Sequence, residues 1–67
     1  MKNSIKVERA IHNLTQQQLA DKISVSRQTI NAIESGKYVP STILALRLSE
    51  LFGKSVNEIF SLEQEEY

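Results

Sequence analysis

The stretch Leu14-Thr15-Gln16-Gln17-Gln18-Leu19-Ala20-Asp21-Lys22-Ile23-Ser24-Val25-Ser26-Arg27-Gln28-Thr29-Ile30-Asn31-Ala32-Ile33-Glu34-Ser35-Gly36 decides how this chain folds. Thr15 and Gln18 have capping-box spacing, in which each side chain satisfies a backbone N–H of the other residue. Leu14 before the cap and Leu19 inside the helix form a hydrophobic staple. A helix is therefore predicted from Gln16 to about Ile23. Ser24-Val25 is a tight connection, and Ser26 caps the next helix, with Val25 and Ile30 as its staple. That helix ends at Gly36, the residue best suited to a left-handed C-terminal cap. About three residues join the two helices, too few for antiparallel packing, so the natural geometry is a corner of roughly 90–120°. Leu19, Ile23, Val25, Ile30 and Ile33 are the apolar anchors, and Ala20 is small where the helices must approach.

Rotation separates the faces of the second helix. At about 100° per residue, Ile30 and Ile33 fall on one side, while Arg27, Gln28, Asn31 and Ser35 cluster within about a quarter-turn on the other. The outward face thus carries a guanidinium and amides in place of the Glu/Lys mixture of an ordinary solvated helix. Arg pairs in bidentate fashion with guanine O6 and N7, and Gln or Asn with adenine N6 and N7. A corner plus such a face is the helix-turn-helix pattern.

Working outward, a first helix is expected from about Ser4 to His12, with Ile5, Val7 and Ile11 as its apolar positions. Pro40 breaks the chain and Ser41 caps a fourth helix running to about Phe52. Its apolar residues, Ile43, Leu44, Ala45, Leu46, Leu48, Leu51 and Phe52, surround most of the circumference and predict a place at the centre of the bundle. Gly53 ends it. Ser55 and Glu58 repeat the capping-box spacing and open a short fifth helix through Phe60. Beyond it, Phe60 and Leu62 alternate with polar neighbours. Two outcomes stay open there: a short strand paired with residues 1–3 or with a second subunit, or a frayed acidic tail. The fold class is all-α, with five helices and room for a short terminal β-strand pair.

Composition narrows the function. The 67 residues suit one domain, 1–67, with no room for a walled catalytic pocket. With no cysteine and a single histidine, His12, a Cys/His zinc cage is excluded and no metal or other cofactor is expected. His12 reads as solvent-exposed or as a phosphate-side contact. Paired-carboxylate pockets, a Ser/His/Asp set and a glycine-rich phosphate loop are all missing, so the chain is not expected to be an enzyme. Apolar runs fall far short of the ~20 residues that cross a bilayer, and Met1-Lys2-Asn3-Ser4 is no secretory signal. A soluble, cytoplasmic protein is expected. The formal net charge of zero conceals a split. Residues 1–47 hold seven basic side chains against three acidic, and residues 48–67 hold one against five. The acidic end, with Glu63, Glu65 and Glu66, is expected to point away from phosphate and to orient the encounter with DNA.

The chain is similar to the lambda-repressor-like, Cro/Xre-type helix-turn-helix domains. The likeness rests on Leu14 to Ala20, Val25 to Glu34, Gly36-Lys37-Tyr38 with Pro40-Ser41, Leu44-Ala45-Leu46, Leu51-Phe52-Gly53 and Ile59-Phe60. It is strongest to short stand-alone members such as the cytolysin repressor type. The resemblance implies that the third helix enters the major groove of double-stranded DNA, with Arg27, Gln28 and Asn31 reading bases. Ser26 and Thr29 would lie near the backbone or a thymine methyl. Gln16, Gln17, Ser35, Lys37 and Tyr38 would contact the sugar-phosphate chain. Arg9 and Glu34 match a family ion pair that ties the first helix to the end of the third, a structural role.

Three positions depart from the family pattern. Ser24 stands where glycine is usual, which in left-handed backbone costs roughly 1 kcal/mol. Glu8 stands where apolar residues are common, and Ile11 where charged ones are, so the first helix is expected to be rotated or repacked. Because one unit offers only three or four base readers, each worth about 1–3 kcal/mol of discrimination, a homodimer on an inverted repeat is expected. Residues 53–67 would dimerise it through Val56, Ile59, Phe60 and Leu62. The expected function is sequence-specific regulation of transcription, as a repressor occupying promoter DNA. The competing class is an interaction module, such as an antitoxin that binds a partner protein through its acidic tail.

Overall fold

The computed structural model describes residues 1–67 as five helices closed by a two-stranded sheet. Strand β1 (Lys2–Asn3) is followed by α1 (Ile5–Ile11), α2 (Gln16–Lys22), α3 (Arg27–Glu34), α4 (Thr42–Phe52) and α5 (Val56–Ile59). Strand β2 (Phe60–Ser61) then pairs antiparallel with β1, Lys2 opposite Ser61 and Asn3 opposite Phe60. A single 3₁₀ turn, Gln64–Glu66, ends the chain. The tail is therefore neither frayed nor wholly a strand, and the strand's partner is the chain's own N-terminus.

The helix starts follow the capping chemistry. Thr15 Oγ1 accepts from the Gln18 N–H at 3.0 Å, and Gln18 Oε1 accepts from the Thr15 N–H at 2.9 Å. Ser55 and Glu58 make the same reciprocal pair, and the Ser55 N–H holds the Glu58 carboxyl below its usual range. Ser26 and Ser41 cap α3 and α4 through Thr29 N–H and Leu44 N–H. At the far end of α3, Gly36 takes φ +78°. This left-handed residue lets the Lys37 N–H reach the Ala32 carbonyl at 2.9 Å and the Gly36 N–H reach that of Ile33 at 3.0 Å, the paired closure of a Schellman end.

Packing converts these helices into a body. Ile5, Leu19, Ala20, Ile23, Ile30, Ile33, Leu48, Phe52, Ile59 and Phe60 form one buried cluster, and α2 and α3 are the most closely packed pair of elements. Two expectations about faces fail. Helix α4 is not the centre of the bundle: it buries only Leu48 and Phe52, while Ile43 and Leu46 are exposed at 63% and 52%. In α1, Val7 and Ile11 are likewise exposed, and the helix buries Ile5 and Glu8. The reason is positional. Ile5 and Glu8 lie three residues apart on one stripe, and Ile5 sits beside the sheet, where the Ser4 N–H bonds to the Ile59 carbonyl at 2.9 Å. That anchoring fixes the rotation of α1 and forces Glu8 inward.

Glu8 is 3% exposed. Its Oε2 accepts from Lys54 Nζ at 2.6 Å, and its Oε1 has no partner in the chain. The departure at Glu8 is thus accommodated by a lysine just beyond α4. Of the other two departures, Ile11 is exposed, as the charged residue usual there would be, and Ser24 adopts the strained left-handed φ of +61°.

Candidate nucleic-acid interface

The corner between α2 and α3 positions everything that follows. Ser24 in left-handed backbone turns the chain, the Val25 N–H bonds back to the Ala20 carbonyl at 3.0 Å, and Ala20 is fully buried between the helices. From the far side, Arg47 Nη1 donates to the Ile23 carbonyl at 3.2 Å, closing the end of α2. Arg47 was not singled out as a functional residue in the sequence. A long-range bond to a helix end leaves no periodic signal.

With Ile30 and Ile33 buried, α3 turns Arg27, Gln28, Asn31 and Ser35 to the exterior, all four exposed. The structure brings the three expected base readers together on one convex face. Neither Arg27 nor Gln28 has a side-chain hydrogen bond within the chain, whereas Asn31 Oδ1 accepts from Gln16 Nε2 at 3.3 Å. Ser26 and Thr29 bond to each other, Oγ to Oγ1 at 3.0 Å, at the N-terminal end of α3. Lys37 and Tyr38 follow the Gly36 turn and are exposed, with the backbone N–H groups of both directed at the Ala32 carbonyl.

Some of the expected backbone contacts are committed elsewhere. Ser35 Oγ donates to its own helix at the Ala32 carbonyl, 3.2 Å away. Gln17 Nε2 donates to Asp21 Oδ1 at 2.9 Å. Gln16 Nε2 donates to Asn31 and also to Glu34 Oε1 at 3.2 Å. A phosphate oxygen only accepts, so in this arrangement the Gln16 amide has no N–H left for it.

Beneath this face lies the ion pair. Arg9 Nε meets Glu34 Oε2 at 2.6 Å and Arg9 Nη2 meets Oε1 at 3.1 Å, a bidentate fork, with side chains 16% and 9% exposed. Arg9 Nη1 continues to the Leu14 carbonyl at 3.0 Å. The hydrogen bond to Glu34 holds the guanidinium further above its already high range. One arginine thus joins α1, the α1–α2 loop and the end of α3. Asn3 adds a second tie, its Nδ2 donating to the Ile33 carbonyl at 2.9 Å while its Oδ1 accepts from the Ile5 N–H.

The acidic end lies closer to α3 than its sequence position suggests. The Met1 ammonium pairs with Glu63 Oε1 at 3.2 Å and Glu66 Oε1 at 3.0 Å. The Met1 carbonyl lies against Gly36, 3.9 Å from where a Cβ there would stand. Two of the three tail carboxylates therefore sit on a cation beside the C-terminal end of α3, and the charge separation is narrower than expected. His12, for its part, lies with its ring centroid 5.4 Å from that of Phe52.

Of the residues expected at a subunit contact, Ile59 and Phe60 belong to the chain's own core, which leaves Val56, half-buried, and Leu62, exposed. These two border adjoining apolar grooves that share Met1, Val56 and Phe60; one extends to Val39 and Leu46, the other to Leu62 and Tyr67. No group of three or more His, Cys, Asp or Glu side chains converges as for a metal ion. No helix is long and apolar enough to cross a membrane.

Comparison with known proteins agrees with this geometry. Residues 5–59 match the helix-turn-helix family model. The chain is 54% identical to an HTH-type transcriptional regulator of Methanocaldococcus jannaschii, over 98% of this chain and 100% of the relative. It is 43% identical to another of Bacillus subtilis, over 97% and 98%, and 41% identical to one of Archaeoglobus fulgidus, over 98% and 93%.

Proposed function

This chain belongs to the Cro/C1-type helix-turn-helix family of non-enzymatic, DNA-binding transcription regulators, and from that premise we propose that it is a repressor that binds an inverted-repeat operator as a homodimer. The observation that carries the reading is the exposed Arg27, Gln28 and Asn31 face on a helix tied down at its C-terminal end. Arg27 supplies a fork for guanine, and Gln28 and Asn31 supply paired donor and acceptor atoms for adenine. Lys37 and Tyr38 flank the groove and hold the phosphates, positioning the reader without specifying sequence. Ser26 and Thr29 line the entry to the groove.

Dimerisation is supported by size and by surface. The body is 32 Å in its longest extent, comparable to the ~34 Å spacing of half-sites one turn of DNA apart. The grooves between Val56, Leu62, Leu46 and Val39 offer the apolar surface for that contact. Repression by occupying promoter DNA requires nothing beyond these two surfaces.

Selection of bound duplexes from a random-sequence pool tests this directly. The expected product is an inverted repeat with half-site centres about 10 base pairs apart. Enrichment of a single unrepeated site would overturn the dimer, and no enrichment at all would overturn sequence-specific reading. A promoter carrying the recovered site should lose transcription when the protein is present; a gain would overturn the repressor assignment.

A further inference from the structure

The hydrogen bonds beneath the reading face have a forced direction. A guanidinium only donates and a carboxylate only accepts. At Glu34, therefore, both Arg9 and Gln16 must present N–H groups, and the Gln16 amide is fixed with Nε2 inward, 3.2 Å from Glu34 Oε1. The second N–H of the same nitrogen faces Asn31 at 3.3 Å, and only an acceptor can stand there, so Asn31 is fixed with Oδ1 toward Gln16. Asn31 Nδ2 makes no hydrogen bond within the chain, and its side chain is exposed on the reading face. The Nδ2 group, with both N–H bonds free, and one remaining Oδ1 lone pair are left, in set positions. Adenine presents the complementary N7 acceptor and N6 donor in the major groove.

We propose that Gln16 is a specificity-positioning residue: the Arg9–Glu34 pair dictates, through Gln16, which way round the Asn31 amide meets the groove, and so selects adenine at the base pair Asn31 reads. The inference rests on the reading of Asn31 as a base contact. It takes the side chain of Gln16 away from the phosphate role expected of it and gives it to recognition. The unaided amide of an exposed asparagine turns over freely and offers a base either polarity. Here the inverted polarity would set an N–H of Asn31 against an N–H of Gln16. Preorganisation of this kind raises discrimination by removing a wrong state in the free protein.

The test uses the full chain and the duplex that the unmodified protein enriches from a random pool, with each base pair of a half-site varied singly. The measured quantity is the ratio of affinities for the enriched and the altered base pair at each position. Such a ratio is unaffected by a partly unfolded sample, because the folded fraction scales every affinity equally. Asn31→Ala should flatten the preference at one adenine-containing position. Gln16→Leu, which keeps bulk but removes the donors, should reduce discrimination at that same position by about tenfold. The ratio at the position lost in Arg27→Ala should stay within about twofold in the Gln16 variant. A Gln16→Leu protein that weakens on all duplexes alike, with every ratio kept, would overturn the inference and return Gln16 to a phosphate or purely structural role. If Asn31→Ala itself leaves every ratio unchanged, the base-reading assignment of Asn31 fails, and the relay fails with it.

Discussion

Arg27 illustrates what one side chain contributes when the fold leaves it free. It has no partner within the chain and stands at the first turn of α3, so its guanidinium is available to a base without first breaking a protein contact. Replacing it with Ala should weaken binding to the selected site by about 1–3 kcal/mol, roughly 5- to 150-fold, and erase the preference at one guanine. Titration of matched and singly altered duplexes measures both, and an unchanged affinity and preference would remove Arg27 from the readers. Glu8 shows the opposite situation, a charge the fold encloses. Removing its partner in Lys54→Met leaves a buried carboxylate alone and should lower stability by about 3 kcal/mol. Glu8→Met removes the enclosed charge, frees a lysine that is already partly solvated, and should be neutral or stabilising. Urea denaturation of the two variants checks this asymmetry, and equal losses would refute it. The outward placement of Arg27, Gln28 and Asn31 was legible in the sequence because rotation about a helix axis needs only spacing. The inward turn of Glu8 was not, because its partner lies 46 positions away and a charged residue gives no hydrophobic signal.

Among the elements, helix starts were the most legible and helix faces the least. Thr15, Ser26, Ser41 and Ser55 each cap the helix that local chemistry assigns to them. The face of α4 was misread because apolar residues ring it, and sequence alone cannot say which side the neighbours cover. The face of α1 was misread because a two-residue strand pair sets its rotation, and strands that short have no period to detect. The corner between α2 and α3 allows a quantitative check. Ser24 holds φ +61°, where a Cβ is unfavourable by about 1–2 kcal/mol. Glycine relieves that strain but loses more freedom on folding, about 0.5–1 kcal/mol. Ser24→Gly should therefore raise stability by up to about 1 kcal/mol and leave base preference unchanged. A clear loss of stability in thermal denaturation would mean that the serine side chain contributes to the turn.

At the scale of the molecule, electrostatics and association set how the protein uses its reading face. Lys37 stands beside that face, exposed, and has no carboxylate partner. Its replacement by Ala should weaken binding to all sequences similarly and reduce the slope of log affinity against log salt by about one unit. A slope that does not move would exclude a phosphate contact. The apolar grooves around Val56 give the second prediction. On the proposed dimer, Leu62→Glu should shift the sedimentation profile toward the monomer and weaken binding to a full inverted repeat far more than to a half-site. A variant that still sediments as the unmodified protein would place the subunit contact elsewhere. Overall charge was legible only as a split between two parts of the chain; the ion pairs from Met1 to Glu63 and Glu66 depend on how the termini meet in space.

The ties on α3 have one more consequence. Asn3 closes the carbonyl of Ile33, and Arg9 clasps both Glu34 and the Leu14 carbonyl. Both residues precede the two-helix motif in the chain. The motif is therefore not a portable cassette: a graft of residues 14–38 onto a foreign scaffold would carry the whole reading face and leave behind the fastenings that hold its far end. Moving that face with its fastenings intact requires carrying the first eleven residues together with α3.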